Sequence, residues 1–196
     1  MTFSLLGSMA VGKTTAAAYV ARALPHICVS YENPLPVLAE IRQRGLQQNT
    51  LEGFCEIQRL FIAHEIRRWE LTKTNEFVLF DTGAQEIEFF TLCFPESMGF
   101  DWDAGNIMEH ELNELRKCMP QHKLFLDARH DTLVKHKAND GTRSRNSFDF
   151  HVASLLPLKR EWFLVQHGLD VIMVDGLDAD EVGEQVTVWI RKRIES

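Results

Sequence analysis

The sequence predicts an α/β fold in which helices lie on both faces of a doubly wound parallel sheet. Short apolar runs alternate with longer segments of helical periodicity, which is the pattern of parallel strands joined by helices. The runs at 77–80 and 124–126 are continuously apolar, as expected for central strands buried on both faces. The chain has 196 residues, which is the size of one domain of this class. We therefore expect a single domain over 1–196.

Five short apolar segments are expected to be buried strands. The first ends at Gly7, and the third and fourth end at Asp81 and Asp127, where a loop is expected to begin. The expected strands are 2–6, 26–30, 77–80, 124–126 and 171–174.

The segments between these strands are expected to be helical, with proline and polar residues marking their limits. Pro25 stops the alanine-rich first helix, and Pro157 lies inside a long helical segment, where we expect a kink or a break. Residues 95–105 are expected to form a loop. The stretch 139–147 contains Gly141 and no apolar residue, which predicts a loop that could act as a short lid. The expected helices are 14–24, 34–45, 49–73, 85–94, 106–118, 129–138, 148–166 and 179–194.

Composition and charge restrict the partners and the compartment. Hydrophobic residues make up 45% of the chain and charged residues 25%, as in an ordinary folded protein. The net charge of −7 repels polyanions, so nucleic acid is not an expected partner. No apolar stretch approaches the roughly 20 residues that span a bilayer, and the apolar N-terminus lacks the basic residues of a signal peptide. The four cysteines show no metal-binding spacing, which predicts reduced, packed thiols and a cytoplasmic protein.

One motif predicts nucleotide binding. Residues 7–14 have the sequence GSMAVGKT and match the phosphate-binding loop G-x-x-x-x-G-K-[ST], between the first expected strand and helix. The glycines let backbone N–H groups converge on a phosphate, Lys13 reaches the β and γ oxygens, and Thr14 offers a hydroxyl to Mg²⁺. An ordinary glycine turn is the alternative. The expected nucleotide-binding residues are Gly7, Ser8, Met9, Ala10, Val11, Gly12, Lys13, Thr14 and Thr15.

Asp81, at the end of the third expected strand, is the expected partner of Thr14 in binding Mg²⁺. An aspartate that caps a helix or closes a turn is the alternative. A signalling GTPase would need a guanine-reading N-K-x-D, which does not occur. Many ATPases place a glutamate beside this aspartate to polarise water, whereas this chain has Thr82. Water is therefore not the expected phosphoryl acceptor, which favours a small-molecule kinase.

A small-molecule kinase needs a base, a group that recognises the acceptor, and cations that close over the phosphoryl group. Glu32 follows the second expected strand and is the candidate base, with a solvated loop glutamate as the alternative. Gln58 lies on the apolar stripe of the long helix, where its amide must bind a nucleobase edge or a backbone carbonyl. Arg143 and Arg145 are either lid cations or a solvated charge cluster.

Taken in this order, the motifs resemble those of the deoxynucleoside kinases and thymidylate kinases among the P-loop kinases, over nearly the whole chain. The resemblance implies a three-layer α/β/α fold with five parallel strands in the order 2-3-1-4-5 and a short lid. It also implies that Glu32 is the base on an acceptor 5′-hydroxyl, that Gln58 and Arg59 bind the acceptor, and that the lid arginines stabilise the phosphates. Homodimerisation is common in that family, so a homodimer is left open. The matching segments are 7–14, Glu32-Asn33-Pro34, Gln58-Arg59, Asp81-Thr82 and Arg143-Ser144-Arg145.

Two residues depart from that family's pattern. Thr82 stands where most relatives have arginine, which removes a cation from the acceptor site and favours a neutral nucleoside over a charged monophosphate. Phe148 replaces a glutamate usually found three residues after the lid R-x-R. The leading expectation is an ATP- and Mg²⁺-dependent kinase that acts on a hydroxyl of a nucleoside-like small molecule.

Two other functions stay open. A nucleoside monophosphate kinase would place Arg42, Arg44 or Arg59 against a second phosphate. A P-loop regulatory or binding protein with little transfer activity would be compatible with Thr82. Other small alcohols such as nicotinamide riboside also stay open as acceptors, and so does GTP as donor.

Overall fold

The structure, a computed structural model, describes residues 1–139 and 147–195. Within this part of the chain, five strands form one parallel sheet in the order β2-β3-β1-β4-β5. This confirms the predicted fold class and strand order. The strands are β1 Thr2–Gly7, β2 Cys28–Ser30, β3 Val78–Asp81, β4 His122–Asp127 and β5 Leu169–Met173.

Helices join the strands, and most of them lie within a few residues of the expected positions. None of the described helices combines the length and the apolar character that a membrane span needs. The helices in the described residues are α1 Lys13–Ala23, α2 Leu35–Arg44, α3 Leu51–Glu70, α4 Ala84–Ser97, α5 Ala104–Ile107, α6 Glu109–Arg116, α7 His130–Asn139, α8 Phe148–Phe150, α9 Leu156–Leu164 and α10 Ala179–Ile194.

The contacts within the chain divide it into two compact units. The sheet unit comprises Met1–Tyr31, Asn75–Thr82 and Pro120–Ser196, and the helical unit comprises Glu32–Thr74 and Gly83–Met119. The described strands and the phosphate-binding motif belong to the sheet unit, whereas Glu32, Gln58 and Arg59 belong to the helical unit. The expectation of a single domain stays a prediction.

The register of the sheet brings the ends of three strands to one edge. Leu5 of β1 pairs with Asp81 of β3, and Gly7 pairs with Leu126 of β4. Because these strands are parallel, Gly7, Asp81 and Asp127 all lie at the carboxyl edge of the sheet. Open α/β sheets bind their ligands at that edge.

Both faces of the central strand β4 are covered by apolar side chains of the sheet unit. Leu124 and Leu126 belong to a buried cluster that includes Ala17 and Val20 of α1. Phe125 faces the opposite side, because successive residues of a strand alternate, and its ring lies 5.7 Å from that of Phe163 in α9. β4 is therefore a buried central strand, as the sequence predicts.

The outer strands do not fit the expectation that all five strands are buried. β2 is only half-buried, and Val171 and Met173 of β5 are 44% and 52% exposed. The reason is the strand order, which places β2 and β5 at the edges of the sheet. A short apolar run does not reveal whether its strand has one neighbour or two.

The expected loop at 95–105 begins later than predicted. Helix α4 continues through Pro95 to Ser97. It ends because Gly99 adopts a left-handed conformation with φ of 76°, after which the N–H of Phe100 donates to the carbonyl oxygen of Pro95 across 2.9 Å. A proline in the last turn removes only one helical hydrogen bond, so Gly99 and not Pro95 determines where the helix ends.

Two other expected helices are interrupted. The segment 106–118 holds parts of two short helices, α5 and α6, which are separated at the buried Met108. The segment 148–166 contains a π-helical turn at His151–Leu155, directly before α9. Pro157 lies in the first turn of α9, where its missing N–H would have no helical partner. The predicted break therefore occurs in the turn before the proline.

The described cysteines are free thiols, and two of the four are fully buried. Cys55 and Cys118 are buried, whereas Cys28 and Cys93 are half-buried. Burial raises the pKa of the Cys93 and Cys118 thiols to about 11. Both thiols are therefore protonated and poorly nucleophilic at neutral pH.

Candidate functional site

The phosphate-binding motif forms a loop between β1 and α1. Gly7 ends the strand with φ of 134°, and Gly12 precedes the helix with φ of 102°. A Cβ atom on Gly7 would lie 2.2 Å from the carbonyl oxygen of Leu126, so no side chain fits between the loop and β4. A Cβ atom on Gly12 would meet open space, and only its backbone conformation favours glycine. The two glycines of the motif are therefore needed for different reasons.

The N-terminus of α1 is suited to bind an anion. Among the described residues, no side chain caps this helix and its first turn carries no acidic residue. The N–H groups of such an end and the helix dipole attract a phosphate. Lys13 Nζ donates to the carbonyl oxygens of Gly7 at 2.9 Å and Ser8 at 3.1 Å, so its ammonium group lies at the beginning of the loop.

Two side chains that the sequence did not single out also contact this loop. Lys159 of α9 donates from Nζ to the carbonyl oxygen of Gly7 at 3.3 Å. His136 of α7 places Nδ1 3.0 Å from the carbonyl oxygen of Ala10, a residue that has φ of 66°. These contacts join positions 152 and 126 residues apart, so no local pattern in the sequence could relate the two side chains to the motif.

Asp81 lies next to the phosphate-binding loop, where a metal-binding carboxylate is expected. It is the last residue of β3, it is 3% exposed, and it pairs in register with Leu5, two residues before Gly7. The next residue, Thr82, has φ of 68°, which is unusual for a β-branched side chain. Such a conformation costs on the order of 1–3 kcal/mol and persists only where the surrounding structure imposes it. The strain therefore lies directly beside the candidate metal ligand.

A second buried aspartate at this edge is bound by an arginine. Asp127 ends β4 and is 7% exposed. Arg160 of α9 donates to both of its carboxylate oxygens, from Nη2 at 2.8 Å and from Nε at 3.0 Å, and Nη2 also donates to the carbonyl oxygen of Ala128 at 2.8 Å. This bidentate pair joins α9 to the end of β4. Sequence reasoning did not identify Arg160, because nothing near it indicates its distant partner.

The oxygen donors beside the loop are suited to Mg²⁺. In the described part of the chain, no three His, Cys, Asp or Glu side chains form a group that could hold a metal ion. Mg²⁺ usually keeps several waters and takes one or two carboxylates together with substrate phosphates. Thr14, in the first turn of α1, and Asp81, at the end of β3, are donors of this type.

The candidate base, Glu32, is exposed and lies two residues after β2. The Asn33 side chain accepts a hydrogen bond from the N–H of Leu35 at 3.3 Å, which turns the chain into α2. Glu32 is the first residue of the helical unit. Its role as the base stays a prediction.

Gln58 is buried in the helical unit and leaves part of its amide group unsatisfied. It is 1% exposed, and its Oε1 accepts from the hydroxyl of Thr91 at 3.0 Å. No group in the described residues bonds to its Nε2. The Thr91 hydroxyl also lies 2.8 Å from the carbonyl oxygen of Ile87, and its single proton can serve only one of the two acceptors. If that proton goes to Ile87, a rotated Gln58 amide donates from Nε2 to Thr91, and either orientation leaves one amide atom of Gln58 without a partner.

Gln85 is a second buried amide, and sequence reasoning missed it. It lies in the first turn of α4 and is 3% exposed. Neither its Nε2 nor its Oε1 has a hydrogen-bond partner among the described residues. Buried amides without partners are rare in folded proteins, because each costs about 1–3 kcal/mol. The helical unit therefore contains two buried side chains that can still recognise a polar ligand.

Arg59, expected to bind the acceptor, is held by carboxylates of the helical unit. Its Nε donates to Glu111 at 2.6 Å and its Nη1 to Glu56 at 2.8 Å, and Arg44 donates to the other oxygen of Glu56 at 2.7 Å. The hydrogen bonds from Arg44 and Arg59 lower the pKa of Glu56, and the bond from Arg59 lowers that of Glu111. The guanidinium groups of Arg44 and Arg59 are thus engaged by protein carboxylates.

The expected lid arginines, Arg143 and Arg145, lie outside the described residues, as does most of the expected lid at 139–147. Of the remaining expected site residues, Gly7 to Thr14 and Asp81 come together at the carboxyl edge of the sheet, in the sheet unit. Thr15 follows in the first turn of α1. Glu32, Gln58 and Arg59 lie in the helical unit.

Similarity to known proteins is found in the fold and not in the sequence. No family model and no curated protein matches the chain. A deoxyadenosine kinase from M. mycoides with the products dCMP and a flexible dCDP has a TM-score of 0.72 and 14% identity, over 98% of this chain and 100% of that one. The same enzyme with bound dATP has a TM-score of 0.71 and 15% identity over 100% of both chains. With bound dCTP the TM-score is 0.69 and the identity 13%, over 98% of this chain and 100% of that one.

The chain therefore has the α/β fold of these deoxyadenosine kinase structures, in strand order and over nearly its whole length. The resemblance to deoxynucleoside kinases that the motifs predicted is confirmed at the level of the fold.

Proposed function

We propose that this chain is a kinase that transfers the γ-phosphoryl group of ATP, with Mg²⁺, to a hydroxyl of a nucleoside-like small molecule in the cytoplasm. One observation carries the proposal. A complete phosphate-binding loop leads from β1 into the N-terminus of α1, which no described side chain caps, and Lys13 lies at the beginning of that loop. The fold shared with the deoxyadenosine kinases supports this assignment.

The donor side of the reaction would be served by the sheet unit. Backbone N–H groups of residues 7–15 would hold the phosphates, and Lys13 would stabilise the charge that develops between the β and γ groups. Thr14 and Asp81 would hold Mg²⁺, which when bound neutralises charge on the β and γ oxygens. Arg143 and Arg145 would add further positive charge around the transferring group.

The acceptor side would be served by the helical unit. Glu32 would accept the proton of the attacking hydroxyl, and Gln58 would bind the base of the acceptor. The unpartnered amide atom of Gln58 supports this role, because a hydrogen bond to a ligand would remove the cost of leaving that atom buried and unsatisfied.

A neutral acceptor is favoured over a nucleoside monophosphate. A monophosphate kinase would need an arginine for the second phosphate. Of the three candidates, Arg44 and Arg59 are already bound by Glu56 and Glu111, whereas Arg42 is exposed on α2. Moving Arg59 to a phosphate would break its bonds to both carboxylates, and Glu56 would keep only Arg44. The neighbouring structures are deoxyadenosine kinases with dCMP, dCDP, dATP or dCTP bound, which makes deoxyadenosine and deoxycytidine the first acceptors to test.

The proposal is tested by a transfer assay with γ-labelled ATP and Mg²⁺ against neutral nucleosides, nucleoside monophosphates and other ribosides. We expect label on a neutral nucleoside and loss of transfer in Lys13→Met. Glu32→Gln should lower kcat by about 100-fold or more while ATP binding survives. Glu52→Gln, which changes another exposed carboxylate of the helical unit, should behave as the wild type.

The other outcomes distinguish the alternatives. Transfer near the wild-type rate in Glu32→Gln would show that Glu32 is not the base. Label on monophosphates alone would identify a monophosphate kinase. ATP consumption that no acceptor changes would indicate a P-loop regulatory protein. Repeating the assay with γ-labelled GTP determines the preferred donor.

A further inference from the structure

Lys159 shares an acceptor atom with the lysine of the phosphate-binding motif. Lys13 Nζ and Lys159 Nζ lie 2.9 Å and 3.3 Å from the same atom, the carbonyl oxygen of Gly7. Both side chains are half-buried, and both residues belong to the sheet unit. Two ammonium groups therefore lie at the first residue of the loop, one from α1 and one from α9.

The fold determines where Lys159 lies. The next residue, Arg160, is fixed to the end of β4 by its bidentate pair with Asp127 and by its bond to Ala128. Gly7 is itself in register with Leu126 of β4. The same strand thus positions both the start of the loop and the helix turn that carries Lys159. The backbone of Lys159 is therefore fixed in position, whereas its long, flexible side chain lets the ammonium group move.

Two ammonium groups on one neutral oxygen form an arrangement that an anion would stabilise. One carbonyl oxygen has two lone pairs and can accept from both lysines, which brings two positive charges to the same atom of the loop. A phosphate beside this atom could accept a charge-assisted hydrogen bond from each lysine. The overall charge of the chain is −7, so this local pair of cations stands out against an acidic background.

We propose that Lys159 is a second phosphate-binding lysine, which together with Lys13 binds the terminal phosphate of a nucleoside triphosphate. The inference rests on the proposed function and extends it. The N-terminus of α1 begins at the far end of the loop, after Gly12, and its N–H groups are the site for the inner phosphates. The motif lysine reaches the β and γ phosphates. Because Lys159 shares the acceptor atom of Lys13 at the near end of the loop, opposite the helix N-terminus, it reaches the outermost of these phosphates, the γ phosphate.

The experiment measures binding and not transfer. Calorimetric titrations of the full chain with Mg²⁺ and either AMP-PNP, a triphosphate that is not hydrolysed, or ADP would compare the wild type with Lys159→Met and Lys159→Arg. Lys123→Met is the matched control, because Lys123 is also a half-buried lysine of the sheet unit and donates to the neutral side chain of Gln166 at 3.2 Å. Thermal unfolding without nucleotide is recorded for each variant.

We expect Lys159→Met to weaken AMP-PNP binding by about 10- to 100-fold and ADP binding by less than about 3-fold. Lys159→Arg should restore most of the AMP-PNP affinity, since it keeps the charge, and Lys123→Met should bind both nucleotides as the wild type does. If Lys159 only supported the loop, both nucleotides would be weakened equally and the ligand-free protein would unfold at a lower temperature. That result, or unchanged AMP-PNP binding, would overturn the inference while leaving the proposed function intact. A wild type that binds neither AMP-PNP nor GMP-PNP would overturn the proposed function itself.

Discussion

The residues proposed for the two ligands, one set in each unit, differ in the hydrogen bonds they make within the chain. At the phosphate-binding loop of the sheet unit, Lys13 and Lys159 both donate to the carbonyl oxygen of Gly7. In the helical unit, Gln58 and Gln85 keep buried amide atoms without partners among the described residues. The proposed donor site is therefore held by hydrogen bonds within the chain, whereas the two amides of the helical unit carry a cost that a bound ligand would remove.

Such a difference is expected because phosphate binding is common to many proteins, whereas recognition of an acceptor is specific to each one. Every P-loop protein binds the same phosphates, so a short local motif with fixed backbone geometry is sufficient. Recognition of one acceptor requires buried polar groups that form hydrogen bonds with that acceptor and stay unpaired when a different molecule binds. At Gly7, the same backbone geometry stabilises the fold and forms the phosphate-binding loop. At Gln85, a polar group that would help to recognise an acceptor lowers the stability of the fold.

The largest expected effect is that of Gly7→Ala in the sheet unit. The new Cβ would lie 2.2 Å from the backbone oxygen of Leu126, which cannot move without disturbing the pairing of β1 with β4. We expect the free energy of unfolding to fall by more than about 3 kcal/mol. Gly12→Ala meets no atom within 4 Å and should cost only the conformational strain, about 1–2 kcal/mol. Urea denaturation measures both variants, and equal losses would show that the close approach to β4 is not what makes Gly7 necessary.

In the helical unit, Gln85→Met should change stability in the opposite direction. Methionine has a similar shape and removes two buried polar atoms that have no partner in the described residues. We expect the free energy of unfolding to rise by about 1–2 kcal/mol, with a loss of acceptor affinity in the transfer assay. Gln121→Met is the matched control, because the Gln121 side chain accepts from the N–H of Thr2 at 3.1 Å, and it should lose about 0.5–1 kcal/mol. A Gln85→Met variant that is less stable than the wild type would show that Gln85 has a partner, and the contrast between the units would fail there.

The same contrast explains what the sequence could predict. The phosphate-binding loop was found because its residues are consecutive and each has a local conformational reason, such as the positive φ of Gly7 and Gly12. The strands and most helices were found because burial leaves a periodic pattern. The position of Asp81 at the end of β3 was predicted because it follows an apolar run, and its role in binding metal stays a prediction.

What the sequence could not predict depends on distant partners. Lys159 and Arg160 are an ordinary pair of basic residues until the fold brings them to Gly7 and Asp127. Gln85 looks like any polar residue in the first turn of a helix, since its burial depends on the packing of other segments. Exposure of β5 likewise depends on strand order and not on its own composition.

A smaller effect is expected from strain at Thr82, the last residue of the sheet unit before the chain enters the helical unit. Its φ of 68° is tolerated by asparagine and disfavoured by β-branched side chains. Thr82→Asn and Thr82→Val both remove the hydroxyl, and only valine keeps the β-branched shape that disfavours this backbone conformation. We expect Thr82→Asn to be more stable than Thr82→Val by about 1 kcal/mol in urea denaturation. Equal stability would show that the neighbouring structure relaxes and that no strain is held beside Asp81.

The smallest expected effect concerns the ion pairs of the helical unit. The hydrogen bond from Arg59 of α3 lowers the pKa of Glu111 of α6 from its ordinary value of 4.5. A carboxyl group whose pKa is lower in the folded state stabilises the fold above its unfolded pKa, and this stabilisation is lost as the pH falls through the folded pKa. Because the pair is partly exposed, we expect Glu111→Gln to lose only about 0.5 kcal/mol at pH 7.

The difference between Glu111→Gln and the wild type should shrink as the pH falls below 4.5 and vanish once the pH is below the lowered pKa of the folded Glu111, where the wild-type carboxylate is protonated. Glu114→Gln is the control, because Glu114 is also half-buried but its partner Lys117 directly follows the same helix, so no second helix is involved. If Glu111→Gln were as stable as the wild type at pH 7, the bond from Arg59 to Glu111 would contribute nothing to stability. Arg59 could then leave Glu111 for a second phosphate at little cost, and the helical unit would be open to a charged acceptor.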